Sequence, residues 1–81
     1  MPFPNEHACR LKEPGGFQKG RFRRTSRRSG GKIYHIIMGR LKGKTTMTEQ
    51  AYRYPKGSWS ASQARSHCSE HDGRFEAAGG D

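Results

Sequence analysis

The apolar positions of this chain gather in its second half, and their spacing changes from segment to segment. Residues 33–78 hold 17 of them and residues 1–32 only seven. The run KIYHIIMGRL, residues 32–41, is short, rich in Ile and Tyr, and bounded by glycines on one side and Lys42-Gly43-Lys44 on the other, which predicts a β-strand. In TTMTEQAYRYP, residues 45–55, Thr46, Thr48, Gln50, Tyr52 and Tyr54 alternate with Met47, Glu49, Ala51 and Arg53. Its β-branched and aromatic residues favour a second strand, ended by Pro55. The few residues between them include Gly43, so the two strands are expected to pair as a β-hairpin. Ser60 and Gln63 then have the spacing of a capping box, with Trp59 in front as a staple residue. The helix is expected over residues 61–71, stopped by Gly73, with Ala61, Ala64, Cys68 and His71 on one face. Arg74-Phe75-Glu76-Ala77 follows as a short third strand.

Nothing comparable organises the first 32 residues. Residues 1–16 contain three prolines and end in Pro14-Gly15-Gly16, which reads as extended chain closing in a turn. Residues 17–32, FQKGRFRRTSRRSGGK, have no apolar period, and Gly30-Gly31 reads as a flexible joint. The expected fold class is therefore α+β: a β-hairpin followed by one helix and a short third strand, with a basic, partly mobile N-terminal arm. The expected division is an arm over 1–32, a compact unit over 33–78 and a tail over 79–81.

Composition sharpens this picture. Sixteen Lys and Arg against seven Asp and Glu leave a net charge of +9 in 81 residues. Leu, Ile, Val and Phe together make up nine residues, a share typical of disordered chains when joined to high charge. Ordering each residue costs roughly 1–2 kcal/mol of backbone entropy, so a core must lean on the aromatic residues, each able to bury about 150–250 Å². The length excludes a large enzyme with an enclosed pocket. No apolar run approaches the roughly 20 residues a bilayer requires, and no secretory h-region follows Met1. Two cysteines are too few for a disulfide-stapled scaffold, although one bridge is possible, so a reduced, cytoplasmic setting is the simpler expectation.

The charge is also localised. No acidic residue occurs from Pro14 to Thr48, where ten Lys and Arg stand. Guanidinium groups match phosphate oxygens as a fork, and each neutralised phosphate releases counterions. Lys19, Arg21, Arg23, Arg24, Arg27, Arg28 and Lys32 are thus the candidate nucleic-acid contacts, with Lys42 and Lys44 extending the patch. Phe17 and Phe22 stand among them as stacking groups. The competing reading is a solvated, solubilising linker. No helix-turn-helix, zinc finger or common RNA-module signature is present, so contact without base reading is expected.

The cysteines and histidines suggest two other chemistries. His7, Cys9, Cys68 and His71 form a Cys2His2 set suited to zinc, yet the H-x-C half has an unusual spacing and Cys68 fits a core position, so neither a metal nor any other cofactor is expected. Cys9 or Cys68 with a histidine, oriented by Glu76, could be drawn as a nucleophilic dyad. Without a nucleophile elbow, paired carboxylates or a phosphate-cradling loop, no enzyme is expected.

The ordered series PNEHACRL, FQKGRFRR, TEQAYRYP and WSASQARSHCSEHDGRFEAA resembles a small tailed-bacteriophage domain associated with head-maturation (prohead) protease genes and related prophage proteins. The resemblance covers about residues 4–78. It implies a viral origin in a prokaryotic host and a hairpin-plus-helix module, and it carries no protease activity, since no catalytic His or Ser of a protease can be matched. At Ser66–His71 the chain departs from the Trp-Leu-Lys-Asp-His-like helix of that domain, and only His71 persists. The expectation is a basic binding module, in the host cytoplasm or the virion, that holds nucleic acid non-specifically and contacts no membrane. The alternative is a protein-interaction role on an acidic surface of a phage assembly or of a host (defence) protein, as an inhibitor. The sequence leaves the oligomeric state open.

Overall fold

A computed structural model describes residues 4–20 and 22–79 of the chain. Five strands, β1 (Glu6–Arg10), β2 (Arg23–Ser29), β3 (Lys32–Arg40), β4 (Met47–Pro55) and β5 (Arg74–Glu76), form one sheet, with helix α1 (Ala61–Glu70) between β4 and β5. The strand order is β2-β3-β4-β1-β5 and every pairing is antiparallel. The class is α+β, and the hairpin, helix and short final strand lie where the local patterns place them. The β3–β4 hairpin pairs Arg40 with Met47 and shifts register once, between Ile37 and Met38. The capping box forms in both directions: Gln63 N–H donates to Ser60 Oγ at 3.1 Å, and Ser60 N–H donates to Gln63 Oε1 at 3.0 Å.

The first 32 residues differ from the expected arm, because they supply two of the five strands. β1 is an interior strand, with Glu6 opposite Pro55 on β4 and Ala8 opposite Glu76 on β5. Its His7-Ala8-Cys9 centre is buried, yet none of the three is a strong hydrophobe, so the sequence pattern there is faint. β2, RRTSRRS, can be polar on both faces because it lies at the sheet edge, and six of its seven residues are exposed. Gly30 and Gly31, read as a flexible joint, are a tight turn: both have positive φ (59° and 82°), and Ser29 pairs directly with Lys32 across them. A two-residue loop with this geometry matches the twist of the strands it joins and admits glycine at both positions.

The core lies between the sheet and α1. Tyr34 and Ile36 from β3, Tyr52 and Tyr54 from β4, Cys9 from β1, and Trp59, Ala64 and Cys68 form its buried cluster. Aromatic edges pack on faces, as for Tyr34 against Tyr52 at 5.3 Å between centroids. The polar ends are satisfied: the Tyr52 hydroxyl donates to Glu49 at 2.7 Å, the Tyr54 hydroxyl pairs with His67 Nδ1 at 2.8 Å, and Trp59 Nε1–H donates to the Ile33 carbonyl at 3.1 Å. Among the described residues no buried side-chain nitrogen or oxygen lacks a partner. A disulfide joins Cys9 of β1 to Cys68 of α1 with their Cα atoms 5.6 Å apart, tying the helix to the middle of the sheet. Among the described residues no helix is long and apolar enough to cross a membrane.

Candidate polyanion interface

β2 carries the sequence-predicted cations, and its register sorts them. Arg24 lies opposite Ile37 and Arg28 opposite Ile33, on the face away from the helix; Arg23 opposite Met38 and Arg27 opposite Tyr34 point to the helix side. All four are exposed, since among the described residues no strand lies beyond β2. Arg27 pairs with Glu49 at 3.1 Å, and Arg24 donates to Glu6. Among the described residues Arg23 and Arg28 make no ion pair and remain available to an incoming anion. Lys32, past the turn, places its ammonium 5.4 Å from the centre of the Trp59 ring.

The remaining lysines form a separate group. Gln18 N–H donates to the Arg40 carbonyl and Lys42 N–H to the Gly16 carbonyl, which pins residues 16–18 beside the end of β3. The Gln18 side-chain amide donates to the Lys44 carbonyl at 3.2 Å. Lys19, Lys42 and Lys44 are thereby collected, all exposed, at the end of the sheet where β2 begins, while Arg28 and Lys32 lie at its other end. The expected patch is thus a band running the length of the β2–β3 edge. Arg21 lies outside the described residues.

The face of the sheet away from α1 holds what the sequence did not reveal. Cross-strand partners align Arg24, Ile37, Ala51, Arg10 and Arg74 in one row across all five strands, and Ser26, His35, Arg53, Ala8 and Glu76 in the next. Arg24 reaches Glu6 although β3 and β4 lie between their strands, so the sheet curls with this face concave. A groove of about 660 Å³ occupies the hollow, with Ala8, Ala51 and Ile37 in its floor and Phe22 and Pro14 among its walls. Phe22 is held there because β3 carries a glycine beneath it: a Cβ at Gly39 would meet Phe17 at 2.7 Å and Phe22 at 2.9 Å. Phe17 is buried, whereas Phe22 keeps 42% of its surface exposed.

Arginines rim the groove. Arg53 is half-buried; burial lowers its pKa, Arg24 and Arg10 add to that, and Glu6 and Glu76 oppose it. Its guanidinium donates to the Tyr52 carbonyl at 3.3 Å. Arg10 and Arg74, directly opposite one another on β1 and β5, are both exposed. Sequence reasoning could have found Arg53, since it shares a strand face with Ala51 opposite to Tyr52 and Tyr54. Arg10 and Arg74 stand 64 positions apart and become neighbours only through register.

Neither zinc binding nor nucleophilic attack finds a free thiol among the described residues. Cys9 and Cys68 are bonded to each other, so neither is a zinc ligand or a nucleophile in this state. His7, the third member of the zinc set, is occupied at both ring nitrogens: Nε2–H donates to the Trp59 carbonyl at 3.1 Å, and Nδ1 accepts from Ala78 N–H at 2.9 Å. His71 faces Tyr52 instead, with Nδ1 at 3.4 Å from the hydroxyl. Glu76 points to the concave face, away from Cys9. Among the described residues no three His, Cys, Asp or Glu side chains are grouped as a metal site. The chain matches no family model, no curated protein and no solved structure.

Proposed function

We propose that this chain is a small, basic phage-type binding module, not an enzyme, that holds nucleic acid non-specifically along its β2 edge. The observation that carries this reading is an edge strand of sequence RRTSRRS with its four arginines exposed, two of them free of ion pairs among the described residues. Lys19, Lys42 and Lys44 prolong the charge at one end, and Arg21 is assigned to the same band from the sequence alone. A strand of exposed guanidinium groups offers phosphate oxygens a repeated fork while reading no base. Titration of a labelled oligonucleotide at a series of salt concentrations tests it. Affinity should fall linearly on logarithmic axes as salt rises; affinity independent of salt would sink the proposal. The implied setting is a prokaryotic host's cytoplasm or the virion, and the Cys9–Cys68 bond favours the virion, outside the reducing cytosol.

One observation favours a second reading. Among the described residues the outer edge of β2 has no strand partner, so an extended acidic segment of a phage assembly or host defence protein could add to the sheet there. A pull-down repeated after nuclease treatment separates the two, because protein partners would survive it.

A further inference from the structure

The concave face combines features that a purely solvated sheet surface does not need. Arg10 and Arg74 are directly opposed across β1 and β5, an arrangement that places like charges about 4.5–5.5 Å apart at Cβ and is destabilising by itself. Arg53 lies on the neighbouring strand, half-buried, and Arg24 closes over from β2. Glu13 approaches Arg10 only to 3.7 Å, with both side chains largely exposed, and Arg74 has no ion pair among the described residues. An anion between Arg10 and Arg74 would relieve their repulsion. Beside them the hollow is of mixed character: two alanines and Ile37 leave the floor low, the exposed ring of Phe22 stands at its wall, and Gln50 and Glu76 share the lining. A slot with an exposed aromatic ring at its wall, polar groups in its lining and paired guanidinium groups beside it fits a nucleobase attached to its phosphate, which only an unpaired strand can offer.

We infer that the groove seats a base of single-stranded nucleic acid, stacked on Phe22 with its phosphate held by Arg10 and Arg74, so that the protein prefers single strands to duplex. This rests on the nucleic-acid reading above and adds a site to it. The two are separable, because the β2 edge serves either strand form whereas the slot serves one. A peptide rich in carboxylates is the competing occupant, but it would have no use for the stacking face beside the cations.

Fluorescence anisotropy on the full chain decides the matter, with a labelled 12-nucleotide oligothymidylate, a duplex of equal length and a polyglutamate peptide as probes. The oligothymidylate should bind about tenfold more tightly than the duplex. Phe22→Ala and, separately, Arg74→Ala should each cost about tenfold on the single strand and leave duplex affinity within about twofold. Arg23→Ala with Arg28→Ala should weaken both nucleic acids alike. Equal binding of single strand and duplex, unmoved by Phe22→Ala or Arg74→Ala, overturns the groove assignment and leaves the β2 reading standing. Polyglutamate binding as tight as oligothymidylate overturns the choice of occupant. Binding of neither nucleic acid overturns both. Arg74 is exposed, so its variant answers the question even if Phe22→Ala disturbs the packing on Gly39.

Discussion

The two faces of this sheet are built from alternate residues of the same strands and behave as opposites. Along β4, Tyr52 and Tyr54 go to the helix side while Ala51 and Arg53 go to the hollow; along β1, Cys9 faces the helix and Ala8 and Arg10 the hollow. The helix side is filled by rings, with the Tyr52 and Tyr54 hydroxyls engaged by Glu49 and His67, and it is held by a covalent bond. The hollow is floored by small side chains and edged by charges of one predominant sign. Stability should therefore reside on one face and binding on the other, and variants of each face should move one measurement without the other.

The largest expected effect is on the helix face. The disulfide closes a loop 59 residues in separation, which constrains the unfolded chain by about 4 kcal/mol in the entropic account. Cys9→Ser with Cys68→Ser, or reduction of the wild type, should lower the melting temperature by roughly 15–30 °C for a domain of this size. At low temperature, where the variant remains folded, binding to an oligonucleotide should persist. Loss of binding together with the bond while the fold survives would break the comparison between the faces.

At the β2 edge, where Arg23 projects to the helix side and Arg28 to the other, Arg23→Ala combined with Arg28→Ala should reduce the slope of log affinity against log salt by about 2, one for each phosphate contact removed. The same variant should melt within about 0.5 kcal/mol of wild type, as exposed substitutions generally do. A large shift in melting would mean that the β2 charges serve the fold.

Ser60→Ala removes the acceptor for Gln63 N–H and should cost about 1 kcal/mol, a fall in melting temperature of roughly 4–8 °C, with oligonucleotide affinity unchanged. The smallest effect concerns acid. His67 packs among Tyr34, Tyr52, Tyr54 and Trp59, and burial, aided by neighbouring His71, lowers its pKa, with Glu70 and Glu49 opposing. Because the folded state resists the proton more than the unfolded chain does, this contribution is complete above the ordinary histidine value near 6.5 and is lost as pH falls through the lower folded value. Thermal melts between pH 7.5 and 5 should show that decline, and His67→Gln should flatten it; an unchanged profile in the variant would assign the decline to other groups.

The elements legible in the sequence are those with local signatures. Ser60 and Gln63 mark the start of α1 from three residues apart, and the β3–β4 hairpin is written in its own alternation and Gly43. β1 and β2 are not legible for two different reasons. β1 owes its burial to strands far along the chain, and its Ala8 and Cys9 are too small to stand out as a core pattern. β2 is polar throughout, so its strand character comes from the Gly30-Gly31 turn that returns β3 beside it. The same division holds for the interface. Charge density exposes Arg23 to Arg28, whereas the Arg10–Arg74 pairing exists only in register. The cysteines illustrate a further limit: with two Cys and several His, composition permits a bridge, a metal site or a pair of buried thiols, and only their approach across β1 and α1 distinguishes these.

The position of β1 has a consequence for how the molecule comes into being. Its two neighbours in the sheet are β4 and β5, and its register joins Ala8 to Glu76. As the chain emerges from a ribosome, β1 must therefore wait for β4, some 40 residues later, to gain its first partner, and for β5 to gain its second. The β2–β3–β4 meander can assemble early from sequential neighbours, but the sheet is complete only when β1 has met both β4 and β5. That long-range closure should set the folding rate, and it makes residues 6–10 the segment most in need of protection while the protein is being synthesised.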